Sequence, residues 1–435
     1  MSATTGHAGP ATTAATAAAP VSGDRVDSPR SWLVVAGTVV ATTTMFGIVY
    51  SFGSFFGAMA DDFGAGKDST AAVFSFTIFF LFVLGAVSGR IADRFGPRPL
   101  AVAAGLLLGS GLWATSLVDR MWIGYITYGA GVGIGVACAY VPLITLVSGW
   151  FDRQRATALG VASAGIGLGT IIGAPIARQL IDAFGWRETY RILAVVALVG
   201  LGIAALFAKR APLAPAGPAA ITVGELAAKR AFRLMYGSGA LMGLSLFVPF
   251  VFLIRYAEEQ GIAKTTAATL ISVLGIGSVL GRLILGAIGA RMGILRLYQL
   301  CFLVMCLSYL IWLAAGGTFA VLALFAFVLG VSYGGYVALS PAVAAHLFGL
   351  AGLGSTVGLL YTGSGFGALV GPPLAGRMID ATGTYFWAQA AAFAVALGSY
   401  VLLVLALRNP AAAASTPAPD EPAARLKPRV ARPTS

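Results

Sequence analysis

The sequence predicts an all-α membrane protein: twelve transmembrane helices in two pseudo-symmetric halves of six. Three observations carry this expectation. Of 435 residues, 58% are hydrophobic and only 10% charged, and apolar runs fill most of residues 32–407. A segment near residue 165 recurs near residue 363, and Lys and Arg gather in alternate loops.

A hydrocarbon core of about 30 Å asks about 20 apolar residues of each crossing helix. The spans expected on that basis are 32–57, 70–92, 99–118, 121–148, 156–180, 189–208, 231–256, 266–290, 294–315, 318–345, 353–376 and 384–407. Many of the 57 glycines fall inside them, where small residues let helix backbones approach. Residues 1–31 are Ala/Thr-rich and lack the basic-then-apolar order of a signal peptide, and 408–435 are Pro/Ala-rich. Both are expected to be disordered tails.

Displacing the chain by 198 positions lays Gly165, Gly167, Gly169, Gly173, Pro175, Ala177, Ile181, Asp182, Ala183 and Gly185 onto Gly363, Gly365, Gly367, Gly371, Pro373, Ala375, Ile379, Asp380, Ala381 and Gly383. At 197, Gly89, Ile91, Arg94 and Gly96 fall on Gly286, Ile288, Arg291 and Gly293. The domains expected are therefore a first half at 32–208 and a second at 231–407, joined by a basic Ala/Pro-rich linker at 209–230. Parallel repeats of this kind place a substrate site near the midplane between halves.

The net charge of +12 raises nucleic-acid binding, but its distribution points to a lipid bilayer instead. With the N-terminus inside, inner segments carry 19 Lys and Arg and outer ones 8, leaving Arg282 buried. The positive-inside rule then puts both termini in the cytoplasm, and the expected location is a bacterial inner membrane.

Arg282 lies within the apolar stretch 267–289, with nothing acidic in reach along its helix. A guanidinium at bilayer depth costs roughly 2.5–3.5 kcal/mol on insertion scales, so it faces a protein-lined cavity. Its planar donor fork fits a carboxylate bidentately, which makes Arg282 the candidate anchor for a small organic anion. The alternative is a structural arginine bonding helix-end carbonyls.

The loop Gly89-Arg90-Ile91-Ala92-Asp93-Arg94-Phe95-Gly96-Pro97-Arg98 resembles the signature loop of the major facilitator superfamily. That resemblance implies the major facilitator fold and a cytoplasmic latch in which Gly89, Asp93, Arg94, Gly96 and Arg98 meet the eleventh span near Ser355. In the second-half copy Ala290 replaces Asp93, so a symmetric second latch is not expected.

Further stretches narrow the resemblance to the monocarboxylate-transporter and oxalate/formate-antiporter branch. These are Tyr50-Ser51-Phe52-Gly53-Ser54-Phe55-Phe56, Trp150-Phe151-Asp152-Arg153-Gln154-Arg155, Gly185-Trp186-Arg187, Val248-Pro249-Phe250 through Arg255-Tyr256-Ala257-Glu258-Glu259, and His346-Leu347-Phe348-Gly349. In that branch an eighth-span arginine anchors the carboxylate, and Arg282 matches it. Tyr140 precedes Trp150 by ten residues, as a binding tyrosine of the oxalate transporters does. Tyr333, Tyr336, Tyr361 and Tyr50 are the other candidates for the pocket, since a phenol can donate to a carboxylate. Arg255 is placed at the outer end of the seventh span.

Oxalate transporters carry a lysine in the eleventh span, where this chain has Leu359-Leu360-Tyr361-Thr362-Gly363. One fixed charge suits a monoanion. Ser278 stands four positions before Arg282, where monocarboxylate transporters often have an acid. His346 could titrate near neutral pH, but its place at a span end favours a solvated side chain.

Gly165-Ile166-Gly167-Leu168-Gly169 has no preceding strand and reads as helix packing rather than a dinucleotide loop. Two histidines and three cysteines, all three cysteines in apolar spans, leave no expected metal site, disulfide framework or cofactor. No nucleophile–base pair supports an enzyme. The function expected is secondary transport of a small organic monocarboxylate, by proton symport or anion exchange. A drug or amphiphile exporter and a non-transporting ligand sensor are the alternatives.

Overall fold

The structure, a computed structural model, describes residues 26–211, 223–349 and 353–408, without the side chains of Asp93, Ala156, Ala290 and Arg291. The carboxylate of the expected latch, Asp93, and most of both expected tails therefore lie outside the described residues. All regular structure described is helical. The order is α1 (Pro29–Tyr50), α2 (Phe52–Phe63), α3 (Lys67–Phe95), α4 (Pro97–Thr115), α5 (Met121–Gly124), a π-helical turn (Tyr125–Ala130), α6 (Gly131–Trp150), α7 (Arg155–Phe207), α8 (Val223–Ala228), α9 (Arg230–Glu259), α10 (Lys264–Met292), α11 (Ile294–Leu313), α12 (Phe319–Phe348), α13 (Leu353–Thr382) and α14 (Phe386–Leu407).

Among the described residues, ten helical stretches are long and apolar enough to cross a membrane. One of them, 51 residues long, joins two helices across a kink at Gly185, and α4 adds a shorter apolar helix of 19 residues, which gives twelve candidate passes among the described residues. Outward apolar residues such as Val195, Val196, Leu198 and Val199 are exposed, a surface suited to lipid.

One span boundary differs from expectation. The first span was expected to end at residue 57, but after a break at Ser51 the chain resumes as α2 and runs to Phe63. Phe52, Phe55, Phe56 and Met59 are buried along α2, so burial extends the helix past the polar Asp61-Asp62 pair. Tyr50 is consequently not at a span end. The expected fifth and sixth spans are two helices that meet at Gly185, whose φ of 79° and ψ of 163° turn the chain within a single residue of α7.

The sequence repeat reappears as backbone geometry. Gly96 and Gly293 have φ of 89° and 86°, and Gly185 and Gly383 have 79° and 67°, conformations that a Cβ disfavours. Pro97, with φ preset for a first helical turn, follows the first of these turns. Helix neighbours recur too: α1 on α7, α3 on α6 and α4 on α7 have counterparts in α9 on α13, α10 on α12 and α11 on α14. Between the two sets, α3 meets α13 and α7 meets α10.

Close backbone approach holds these pairs. On α7, Gly169 and Gly173 lie against the α1 backbone at Thr43 and Gly47; on α13, Gly367 and Gly371 lie against α9 at Ala240 and Leu244. A Cβ at Gly371 would collide with the Leu244 carbonyl, which cannot move without moving α9. Gly160, by contrast, has open space around it. Gly371→Leu is expected to destabilise the fold by about 1–3 kcal/mol or more, and Gly160→Ala to leave it unchanged, measured as thermal unfolding in detergent.

Candidate substrate site

The site begins with two pairs of glycines. On α10, Gly277 and Gly281 approach the α12 backbone at Phe327–Val331; on α12, Gly330 and Gly334 approach α10 at Leu274 and Ser278. This contact sets the depth and rotation of the residues beside it, Arg282 next to Gly281 and Tyr333 next to Gly334. The Arg282 guanidinium carbon consequently lies 5.8 Å from the Tyr333 ring centre.

Arg282 is only 7% exposed, and none of its three guanidinium nitrogens has a hydrogen-bond partner in the protein. It faces a cavity shared with Tyr50, Tyr140, Tyr333, Tyr336 and Tyr361. All six residues expected at the pocket are thus brought together from α1, α6, α10, α12 and α13. The remaining lining includes Phe46, Phe82, Met242, Leu246, Phe247 and Ser364. Arg282 is the one residue of that lining with a charged side chain.

The tyrosines occupy distinct places. Tyr50 and Tyr333 join hydroxyls at 3.0 Å, linking α1 to α12. Phe250 closes this pair, 4.5 Å from the Tyr50 ring centre and 5.9 Å from that of Tyr333. Tyr140 meets Phe46 edge-on at 5.2 Å. Tyr336 packs on Tyr298 and Phe302, and Tyr361 on Phe82 at 5.7 Å.

Toward the face bearing Lys67, Glu259 and Asp380, the cavity is sealed. Phe56 meets Phe252 at 5.3 Å, and a Cβ at Gly57 would lie 3.0 Å from an Arg255 guanidinium nitrogen. Arg255 donates to Glu259 at 2.8 Å, Lys67 pairs with Glu259 at 3.2 Å, and the Lys67 backbone N–H donates to Asp380 at 2.7 Å. Arg255 thus sits at the helix end where it was expected.

At the opposite face, the Asp27 carboxylate accepts from the backbone N–H groups of Asp152, Arg153 and Gln154, just before α7 begins. These bonds, that from Arg153 foremost, hold its carboxyl below the usual range. Of the expected latch residues on this face, Gly89 is close to Val141, the Arg94 carbonyl accepts from Arg210 at 3.4 Å, Gly96 makes its turn, and Arg98 and Ser355 are exposed. His346 is exposed in the last turn of α12.

Sequence reasoning did not single out the apolar lining, nor Phe250 as the lid on the tyrosine pair. The signal available was the density of aromatics at 46–56 and 247–252. It also passed over Arg178, 8% exposed and paired with Asp182 one turn along α7. The Arg–Asp spacing of four was the clue there.

The sequence model of the Major Facilitator Superfamily matches residues 36–253 and 235–433. The chain belongs to this superfamily. Monocarboxylate transporter 3 of Rattus norvegicus is 31% identical over 376 residues, 82% of this chain and 76% of that protein. Monocarboxylate transporter 4 of Mus musculus is 28% identical over 395 residues, 87% of this chain and 83% of the relative. Among solved structures, a bacterial homolog of the human lysosomal transporter Spinster, inward-facing and occupied, has a TM-score of 0.70 at 16% identity, covering 88% of this chain and 98% of that one. That likeness is one of fold. The chain is accordingly an integral multi-pass membrane protein and a secondary transporter, not an enzyme.

A buried charge without a partner lowers stability, and exchanging buried ionic groups for apolar ones of similar volume is often neutral or stabilising by about 1–4 kcal/mol. Arg282→Met is expected to unfold at the same or a higher temperature than the parent protein while losing transport. A clear fall in unfolding temperature would mean that Arg282 holds the fold together.

Proposed function

We propose that this transporter carries a small organic monocarboxylate by alternating access, exchanging it for another anion. The observation that supports this reading is the buried, unpartnered Arg282 guanidinium in a cavity walled by tyrosines and apolar side chains. A carboxylate would take two of its donors side by side, and a short carbon chain would lie against the Phe and Leu walls. The cavity, about 40 Å³, is a few waters in size by the roughly 10–15 Å³ that one water needs. The names of the monocarboxylate transporters above favour the same substrate class.

Exchange is favoured over proton symport because no carboxylate or imidazole is among the lining residues. In this reading residues 32–208 and 231–407 rock as two halves about the cavity, with both termini cytoplasmic in a bacterial inner membrane. The 89–98 loop, through Asp93, latches against the start of α13 near Ser355. An exporter of drugs or amphiphiles would use Arg282 structurally, but Arg282 bonds no helix-end carbonyl.

The deciding experiment is uptake into proteoliposomes of labelled mono- and dicarboxylates, with and without a pH gradient. Trans-stimulated uptake of a lactate-like acid is expected, and indifference to every carboxylate would refute the reading. Arg282→Lys keeps the charge but loses the planar fork, so substrate affinity should drop by about tenfold or more, the equivalent of one charge-assisted hydrogen bond, with the fold intact. Normal affinity in that variant would remove Arg282 from the site. Arg255→Ala should alter the rate of access more than equilibrium affinity, since its contacts lie at the sealed end.

Valence follows from charge count. Tyr361 lines the cavity that Arg282 faces, so Tyr361→Lys adds a second cation where one existed. Preference should move from lactate-like toward oxalate-like substrates. Unchanged discrimination in a folded, active variant would show that charge count does not set valence here.

A further inference from the structure

The loaded site is neutral in the reading above, one carboxylate against one guanidinium, but the same site emptied keeps a buried positive charge. A proton cannot correct this, because adding one raises the charge and the lining holds no carboxylate or imidazole to receive it. Tyrosine hydroxyls are already neutral. Only an anion restores neutrality on the return leg.

The cavity has donors for an anion smaller than a carboxylate. Three guanidinium nitrogens are buried and unbonded. In the Tyr50–Tyr333 pair one hydroxyl donates to the other, which leaves the second hydroxyl hydrogen free to turn toward the cavity both residues line. The space, a few waters in size, admits a monatomic anion without rearranging the aromatic wall. The walls of Phe46, Leu246 and Phe247 disfavour a strongly hydrated dianion such as sulfate.

We propose that Arg282 and the Tyr50–Tyr333 hydroxyl pair form a site for a small inorganic monoanion of chloride type, which occupies the substrate cavity when the carboxylate has left and serves as the exchange partner for its return. The inference rests on the monocarboxylate reading for its transport consequence, but not for binding. A spherical anion needs only a positive charge and donors, whereas a carboxylate needs the planar fork. Arg282→Lys should therefore separate the two ligands.

The binding test is thermal unfolding of the purified full chain, titrated with sodium chloride against sodium sulfate at equal ionic strength. Chloride is expected to raise the unfolding temperature saturably in the parent and in Arg282→Lys, with the response lost in Arg282→Gln. An identical response in Arg282→Gln, or none in the parent, overturns the site. The transport test uses parent proteoliposomes with the membrane potential clamped and the lumen filled with chloride or sulfate. Net lactate uptake should be about tenfold or more faster from the chloride lumen, since burying an unpaired charge costs at least that in rate, while lactate–lactate exchange is the same in both. Equal net uptake with exchange intact overturns the counter-ligand and leaves the monocarboxylate reading standing. Absence of lactate–lactate exchange, together with indifference to other carboxylates, overturns that reading itself, while the chloride response in unfolding still decides the anion site.

Discussion

An arginine that must stay charged, at mid-depth in an apolar helix and with no acid beside it, constrains the architecture around it. Placed toward lipid it would cost the helix its insertion; placed against another helix it would need acceptors that this fold does not supply. The remaining solution is a cavity, and the cavity exists because α10 and α12 touch through glycines on one side and leave space on the other. Ring walls then exclude bulk water, which keeps the field of the guanidinium strong for a ligand. In the proposed reading the protein tolerates a locally unfavourable group so that it can bind, the trade expected where activity and stability compete.

The seal toward the Lys67 face shows how such a cavity can be closed without being locked. Lys67 and Glu259 are 22% and 30% exposed at their side chains, and an ion pair that wet contributes about 0–1 kcal/mol. The Tyr50–Tyr333 hydrogen bond exchanges for water at small net cost. What remains is ring packing of Phe56 on Phe252 and of Phe250 on the tyrosine pair. Many weak contacts between α1–α2 and the end of α9 can be broken by a modest difference in free energy, whereas the glycine-packed backbones within α10–α12 cannot separate without unfolding.

Most of the architecture was legible in the sequence because membrane helices announce themselves by length and hydropathy, and because a repeat shows through matching glycines and prolines. Gly96 with Gly293, and Gly185 with Gly383, were paired before any backbone angle was known. Boundaries were less legible. The first span was expected to end at residue 57, yet packing of Phe55 on Tyr190 and of Phe56 on Phe252 in the second half carries the helix to Phe63, a tertiary effect that local polarity cannot report. Arg282 could be named because a charged side chain inside an apolar span is rare; the tyrosines were named from their spans and from the resemblance, in a chain where Tyr128, Tyr190 and Tyr309 are buried elsewhere. Phe250, Phe46 and Met242 could not be named, since one apolar residue in an apolar helix resembles the next until helix rotation is fixed.

The repeat explains both why the scaffold is robust and where specificity had to arise. Displaced by 197 positions, Gly330 falls on Gly133 and Leu274 on Thr77, and both pairs make the same close backbone contact. Displaced the same way, Arg282 falls on Gly85, Tyr333 on Val136 and Tyr336 on Ala139. One contact that sets helix spacing is thus duplicated, whereas Gly277, Gly281 and Gly334 fall on Phe80, Leu84 and Ala137, and the three cavity-facing positions are not duplicated either. A symmetric pair of arginines would confront one another across the midplane, and two like charges in a low-dielectric cavity repel strongly. With Gly85 at that position, Arg282 remains the single charge of the cavity lining, which in the proposed reading serves one anion.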